Sequence, residues 1–118
     1  MNYIDGFVLA VPAENKQAYI DHARWAMPMF LENGALRMVE CWGDDVPDGK
    51  LTDFRRSVLA EQGEVVMFSW VEWPSKEVRD AGIKKMLEDP RMSEMNNIPF
   101  DGKRMIMGGF QAVVDEGK

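Results

Sequence analysis

Ten residues from Glu64 to Trp73, EVVMFSWVEW, constrain the fold more than any other stretch of the chain. β-Branched and aromatic side chains dominate them, with Gly63 behind and Pro74 ahead, which is the composition and punctuation of a strand. Because side chains alternate, Val65, Met67, Ser69, Val71 and Trp73 share one face, and Val66, Phe68 and Trp70 take the other between Glu64 and Glu72. A strand that is apolar on both sides belongs in the middle of a sheet with a covering layer on each face. The rest of the chain has to supply those layers.

Residues 3–11 read as another such strand, with Tyr3, Phe7, Leu9 and Val11 on one face and Ile4, Val8 and Ala10 on the other. Residues 14–33 read as a helix, in which Tyr19, His22, Ala23, Ala26 and Phe30 recur at spacings of three and four and should face the sheet. Asn33-Gly34 is a helix stop that tolerates left-handed backbone. Pro28 lacks the donor an interior helical position needs, so it should kink the helix or end its regular part near Met27. A strand follows over residues 35–43, with Leu36, Met38, Glu40 and Trp42 opposed to Arg37, Val39 and Cys41.

Residues 44–50 read as a loop with Pro47, Asp48 and Gly49 at successive positions of a type I turn. Residues 52–61 read as a short helical turn or an irregular crossing. Ser75 is placed to cap a second helix, which Asp89-Pro90 stops. Gly82 should weaken that helix by about 1 kcal/mol relative to Ala. Residues 91–101 form an apolar connector, and residues 103–114 a last strand in which Gly108-Gly109 implies a bulge or the close approach of another backbone. Residues 115–118 read as a frayed tail.

The order β, α, β, β, α, β is the ferredoxin-like arrangement, an α+β fold with an antiparallel sheet and both helices on one face. Two helices cover one side only. Since the first, third and last strands are apolar on the other side too, a second copy of the chain is the expected cover, giving a homodimer joined sheet to sheet.

Composition narrows the function classes. At 118 residues the chain suits one domain spanning 1–118, and it contains no apolar run of the roughly 20 residues a bilayer span needs. The first residues carry Asp5 inside their apolar run and no basic leader, which reads as a strand rather than a secretory signal and implies a cytoplasmic location. Twenty acidic against fourteen basic residues give a formal charge of −6, which disfavours a nucleic-acid partner. The single Cys41 permits no internal disulfide and no Cys-based metal site. Read as a calcium loop from Asp44, the chain has Val46 and Arg55 where oxygen ligands are needed, so no metal is expected. Gly108-Gly109 lacks the spacing of a nucleotide loop, so no cofactor is implied.

Asp5-Gly6-Phe7-Val8, Gly34-Ala35-Leu36, Val39-Glu40-Cys41, GDDVPDGK from Gly43, Phe68-Ser69-Trp70, Asp89-Pro90-Arg91, PFDGKRM from Pro99 and Gly108-Gly109-Phe110 together resemble the small bacterial family of unknown function typified by YbaA. The resemblance covers nearly the whole chain and implies a dimeric α+β barrel. That superfamily also holds cofactor-free monooxygenases and heme-degrading enzymes. No established reaction or catalytic residue comes with it.

Four residues are the candidate pocket: Tyr19 and His22 on the inward helical stripe, Trp70 among the aromatics of the central strand, and Arg104 as an anchor for an anion. The commoner roles are a hydrogen-bonded structural histidine, core or interface tryptophans, and arginines paired with surplus acids. The expected function is a small dimeric barrel protein binding a small apolar or aromatic molecule between helices and sheet. The alternative is a cofactor-free, monooxygenase-like enzyme acting on an electron-rich aromatic, with His22 orienting the substrate.

Overall fold

The computed structural model describes residues 1–95 and 97–118; Asn96, in the expected connector, lies outside them. Four strands form one antiparallel sheet: β1 (Tyr3–Pro12), β2 (Arg37–Trp42), β3 (Glu64–Trp73) and β4 (Ile106–Gln111). Their order across the sheet is β2-β3-β1-β4, the ferredoxin-like order, with β1 and β3 in the middle. These two ten-residue strands pair along their whole length, from Tyr3 opposite Trp73 to Pro12 opposite Glu64. The doubly apolar pattern of both strands follows from that central position.

Helices α1 (Lys16–Glu32) and α3 (Lys76–Glu88) lie on the face that carries Tyr3, Phe7, Leu9, Val71 and Trp73. Ser75 caps α3 by accepting from the Val78 amide at 3.2 Å, as its position in the sequence implies. At the other end of α1, Gly34 takes a φ of +108°. Its N–H donates to the Leu31 carbonyl and that of Ala35 to the Phe30 carbonyl, a Schellman stop that a β-carbon would strain. Such a carbon would also sit 2.5 Å from Val78 Cγ1 of α3.

Four expectations are corrected, the first in only one of its two alternatives. Helix α1 continues through Pro28 to Glu32 instead of ending near Met27; proline removes one hydrogen bond, and the buried Met29 beyond it anchors the last turn in the core. The Gly49 N–H, which would close a turn onto Val46, donates instead to Asp53 Oδ2 at 3.0 Å. The last strand is shorter than residues 103–114, because Asp101 accepts from the Lys103 amide and turns Gly102–Arg104 into a 3₁₀ helix. No bulge interrupts β4, whose register against β1 is regular from Val8–Ile106 to Tyr3–Gln111. The close approach at Gly109 comes from side chains: a β-carbon there would lie 2.3 Å from the Tyr3 hydroxyl and 2.2 Å from Arg79 Nη2.

Residues 52–61 contain a one-turn helix, α2 (Phe54–Ser57), capped by Asp53. The segment crosses the far face of the sheet, where Val58 and Ala60 pack on Val8, Ala10 and Val66. One end of that face is thus covered by the chain itself. The rest is open: Phe68, Ile106 and Phe110 remain 45%, 46% and 60% exposed. Together with Ile4, Gly6, Val8 and Trp70 they border a shallow apolar hollow of about 740 Å³. The Phe110 ring lies against the paired glycines Gly6 and Gly108, the nearest ring carbon being 3.6 Å and 3.3 Å from where their β-carbons would be.

Candidate functional site

On the helix face, α1 and the edge strand β2 do not close over each other completely. The turn-by-turn stripe Lys16, Ile20, Ala23 and Met27 faces Met38, Glu40 and Trp42, and Met67 of β3 forms the floor. Between them lies a half-open cleft of about 320 Å³. Its walls are apolar apart from Tyr19, Glu40 and the two cations Lys16 and Arg24.

Tyr19 is buried, and its hydroxyl donates to Glu40 Oε1 at 2.7 Å. Burial and the neighbouring carboxylate both push the tyrosine far above its ordinary range, so it stays protonated and acts as a donor. Glu40 is open to solvent along the edge of β2, whereas its carboxylate turns in beneath the helix. Partial desolvation raises its pKa, against hydrogen bonds from Tyr19 and from Ser69, which stands opposite it on β3. Among the described residues no cation lies within salt-bridge distance of Glu40.

The cost of this arrangement is measurable. A carboxyl whose folded pKa is raised above its unfolded value is neutral in both states at low pH, and it destabilises the fold as pH rises through the folded pKa. Glu40→Gln, which keeps an acceptor for Tyr19, should therefore raise the urea midpoint at pH 8. The gain should vanish by about pH 4. Solvent at the cleft mouth keeps it below about 1 kcal/mol.

Of the four residues singled out from sequence, the structure brings two together. The Tyr19 and His22 rings are 6.4 Å apart, and both border a smaller hollow of about 170 Å³ toward Phe100, which shares Glu40 and Met38 with the cleft. Burial lowers the His22 pKa, which favours the neutral imidazole. Trp70 stands on the opposite face of the sheet, where its indole N–H donates to Glu72 Oε2 at 2.9 Å. Arg104 is clamped at the end of the sheet by two bonds to Glu64, at 2.7 and 2.8 Å, and donates further to the Leu59 carbonyl and Asp101. The clamp holds the Glu64 carboxyl well below the usual carboxylate range.

The residue that pattern reading passed over is Glu40. Its signal was present: a lone carboxylate between Met38 and Trp42 on a strand face otherwise directed inward. The specific charged motifs do structural work instead. Asp89 and Arg91 form a bidentate pair, and Arg91 reaches Glu32 at the end of α1 at 2.6 Å. Among the described residues there is no cluster of His, Cys, Asp or Glu suited to a metal ion, and no helix is long and apolar enough to cross a membrane.

Sheet order and cleft together define a ferredoxin-like α+β protein with its candidate site between a helix and the sheet edge. The chain belongs to the family described as "Protein of unknown function (DUF1428)", whose model matches residues 2–102. It is 62% identical over 117 residues to "Uncharacterized protein YbaA" of Escherichia coli (strain K12), an alignment covering 98% of this chain and 100% of that protein. The protein of the same description from Shigella flexneri matches with the same identity and coverage.

Proposed function

We propose that this chain works as a homodimer joined through the far face of its sheet and holds a small, largely apolar molecule in the α1–β2 cleft. The cleft carries the reading: its volume of about 320 Å³ falls within the roughly 300–1,000 Å³ of small-molecule sites, and a few convergent polar groups interrupt its apolar walls. A fully packed helix–sheet layer would have argued for a purely structural protein. The hollow beside His22, at about 170 Å³, is too small for an aromatic substrate and an oxidant together, so the monooxygenase alternative draws no support from it.

A second copy is the occupant that best suits the far face. The open part is a strand surface, and the residues bordering its hollow include no charged side chain. Arg37 and Glu72 stand opposite each other at one margin, 4.0 Å apart, giving a two-fold contact a polar rim of both signs. A cytoplasmic setting belongs to the same reading and is compatible with the single, free Cys41. Native mass spectrometry of protein purified from its own host tests both parts. The expected species has the mass of two chains plus a small adduct, and a single chain without adduct would overturn the proposal.

A further inference from the structure

The charges around the cleft say more about its occupant than its volume does. Lys16 opens α1, at the end where the helix dipole disfavours a cation, and the residues three and four positions on are Tyr19 and Ile20, neither of which offers an acidic partner. Among the described residues neither Lys16 nor Arg24 takes part in an ion pair, although the chain has a surplus of acids. The Lys16 ammonium instead sits 5.2 Å from the centroid of Trp42, at one end of the cleft. Trp42 and Glu40 are two residues apart on the same face of β2, which separates a cationic end from an acceptor by about 7 Å.

Resting on the proposed cleft reading, we infer that the occupant is an amphipathic carboxylate about one aromatic ring long. Its anionic group meets Lys16, and a hydroxyl at its other end donates to Glu40; Arg24, eight residues and about 12 Å further along α1, stands beyond the Glu40 end. Tyr19 occupies one oxygen of Glu40 at 2.7 Å and holds the carboxylate facing the cleft, leaving acceptor capacity for the ligand. The body of the molecule lies against Met38 and Met67, whose flexible thioethers accommodate a flat ring. A neutral ligand would gain nothing from Lys16, and an amine would be repelled at the Lys16 end and could pair only with Glu40.

Isothermal titration with four probes of matched shape tests this: 4-hydroxyphenylacetate, its amide 4-hydroxyphenylacetamide, phenylacetate and tyramine. The hydroxy acid should bind at least tenfold more tightly than the amide, and at least fivefold more tightly than phenylacetate, with tyramine weakest. Lys16→Gln should erase the preference for acid over amide while leaving the melting temperature unchanged or slightly raised, because an exposed residue at the dipole's positive end is replaced. Arg24→Gln, about 12 Å from Lys16 along α1, should leave the preference unchanged.

Equal binding of acid and amide would overturn the charge assignment and leave the cleft reading standing. Binding of the acid that Lys16→Gln does not alter would place the anion elsewhere and overturn it as well. If no probe binds and the host-purified protein carries no adduct, both the inference and the cleft reading fall.

Discussion

Phe68→Asp should convert the proposed dimer to a monomer, with an association constant lower by about a thousandfold or more, while the protomer stays folded. Phe68 projects from the central strand β3 onto the open far face and is 45% exposed in the single chain. Its ring meets Phe54 edge-on at 6.2 Å and Trp70 at 5.9 Å. Covering such a ring with a second sheet contributes about 2 kcal/mol per copy, and a carboxylate in its place has to be desolvated without a partner. A two-fold contact counts the change twice, so a loss of about 4 kcal/mol or more is expected, which corresponds to three orders of magnitude in affinity. Sedimentation equilibrium reads the effect directly, with far-ultraviolet circular dichroism as the control for folding. A wild-type protein that sediments as a monomer at tens of micromolar would remove the premise, and an unchanged dimer in the variant would place the interface elsewhere.

Trp73→Ala should lower unfolding free energy by about 4 kcal/mol, the largest stability effect we expect from one side chain. Trp73 is fully buried at the end of β3, packed against Phe30, Val78 and Ile83. Its indole N–H donates to Asp5 Oδ2 at 2.9 Å, and Asp5 in turn holds Arg79 of α3 at 3.0 Å. Removing the ring leaves a cavity and takes a hydrogen bond from a buried carboxylate. The same contact reverses the sign expected at Gly82. Helix propensity alone favours Ala there by about 1 kcal/mol. A β-carbon would lie 2.5 Å from the Asn33 carbonyl oxygen and 2.9 Å from Trp73 Cζ3. Backbone cannot yield as a flexible side chain does, so Gly82→Ala should destabilise by about 1–3 kcal/mol in urea unfolding. An increase in the midpoint would show that α3 packs less closely than described.

Gly82 shows where local reasoning stops. Read along the chain it is a weak point of a helix, and only the crossing of α3 over Trp73 and the end of α1 makes it a requirement. Helix α2 was hard to read for a related reason. Its stop is a Schellman turn with Leu59 at φ +50°, where a glycine would ordinarily mark the end. Asp53, its cap, doubles as the acceptor for Gly49, and nothing in the spacing reveals that second role. The candidate site was half legible: Tyr19 and His22 share a helical stripe with a clear period. Glu40 lies 21 positions from Tyr19, and only the pairing of β2 onto β3 brings it beneath that stripe.

What the sequence determined by itself is the order of elements, the two-sided apolar character of β1 and β3 and the caps at Ser75 and Gly34, because these depend on side-chain periodicity and local backbone preference. Tertiary structure alone decided which face received Trp70, which acid took Arg104, and that α1 and the edge of β2 stand apart with a carboxylate between them. Those outcomes depend on how distant segments meet across the sheet, and no local pattern encodes such a meeting.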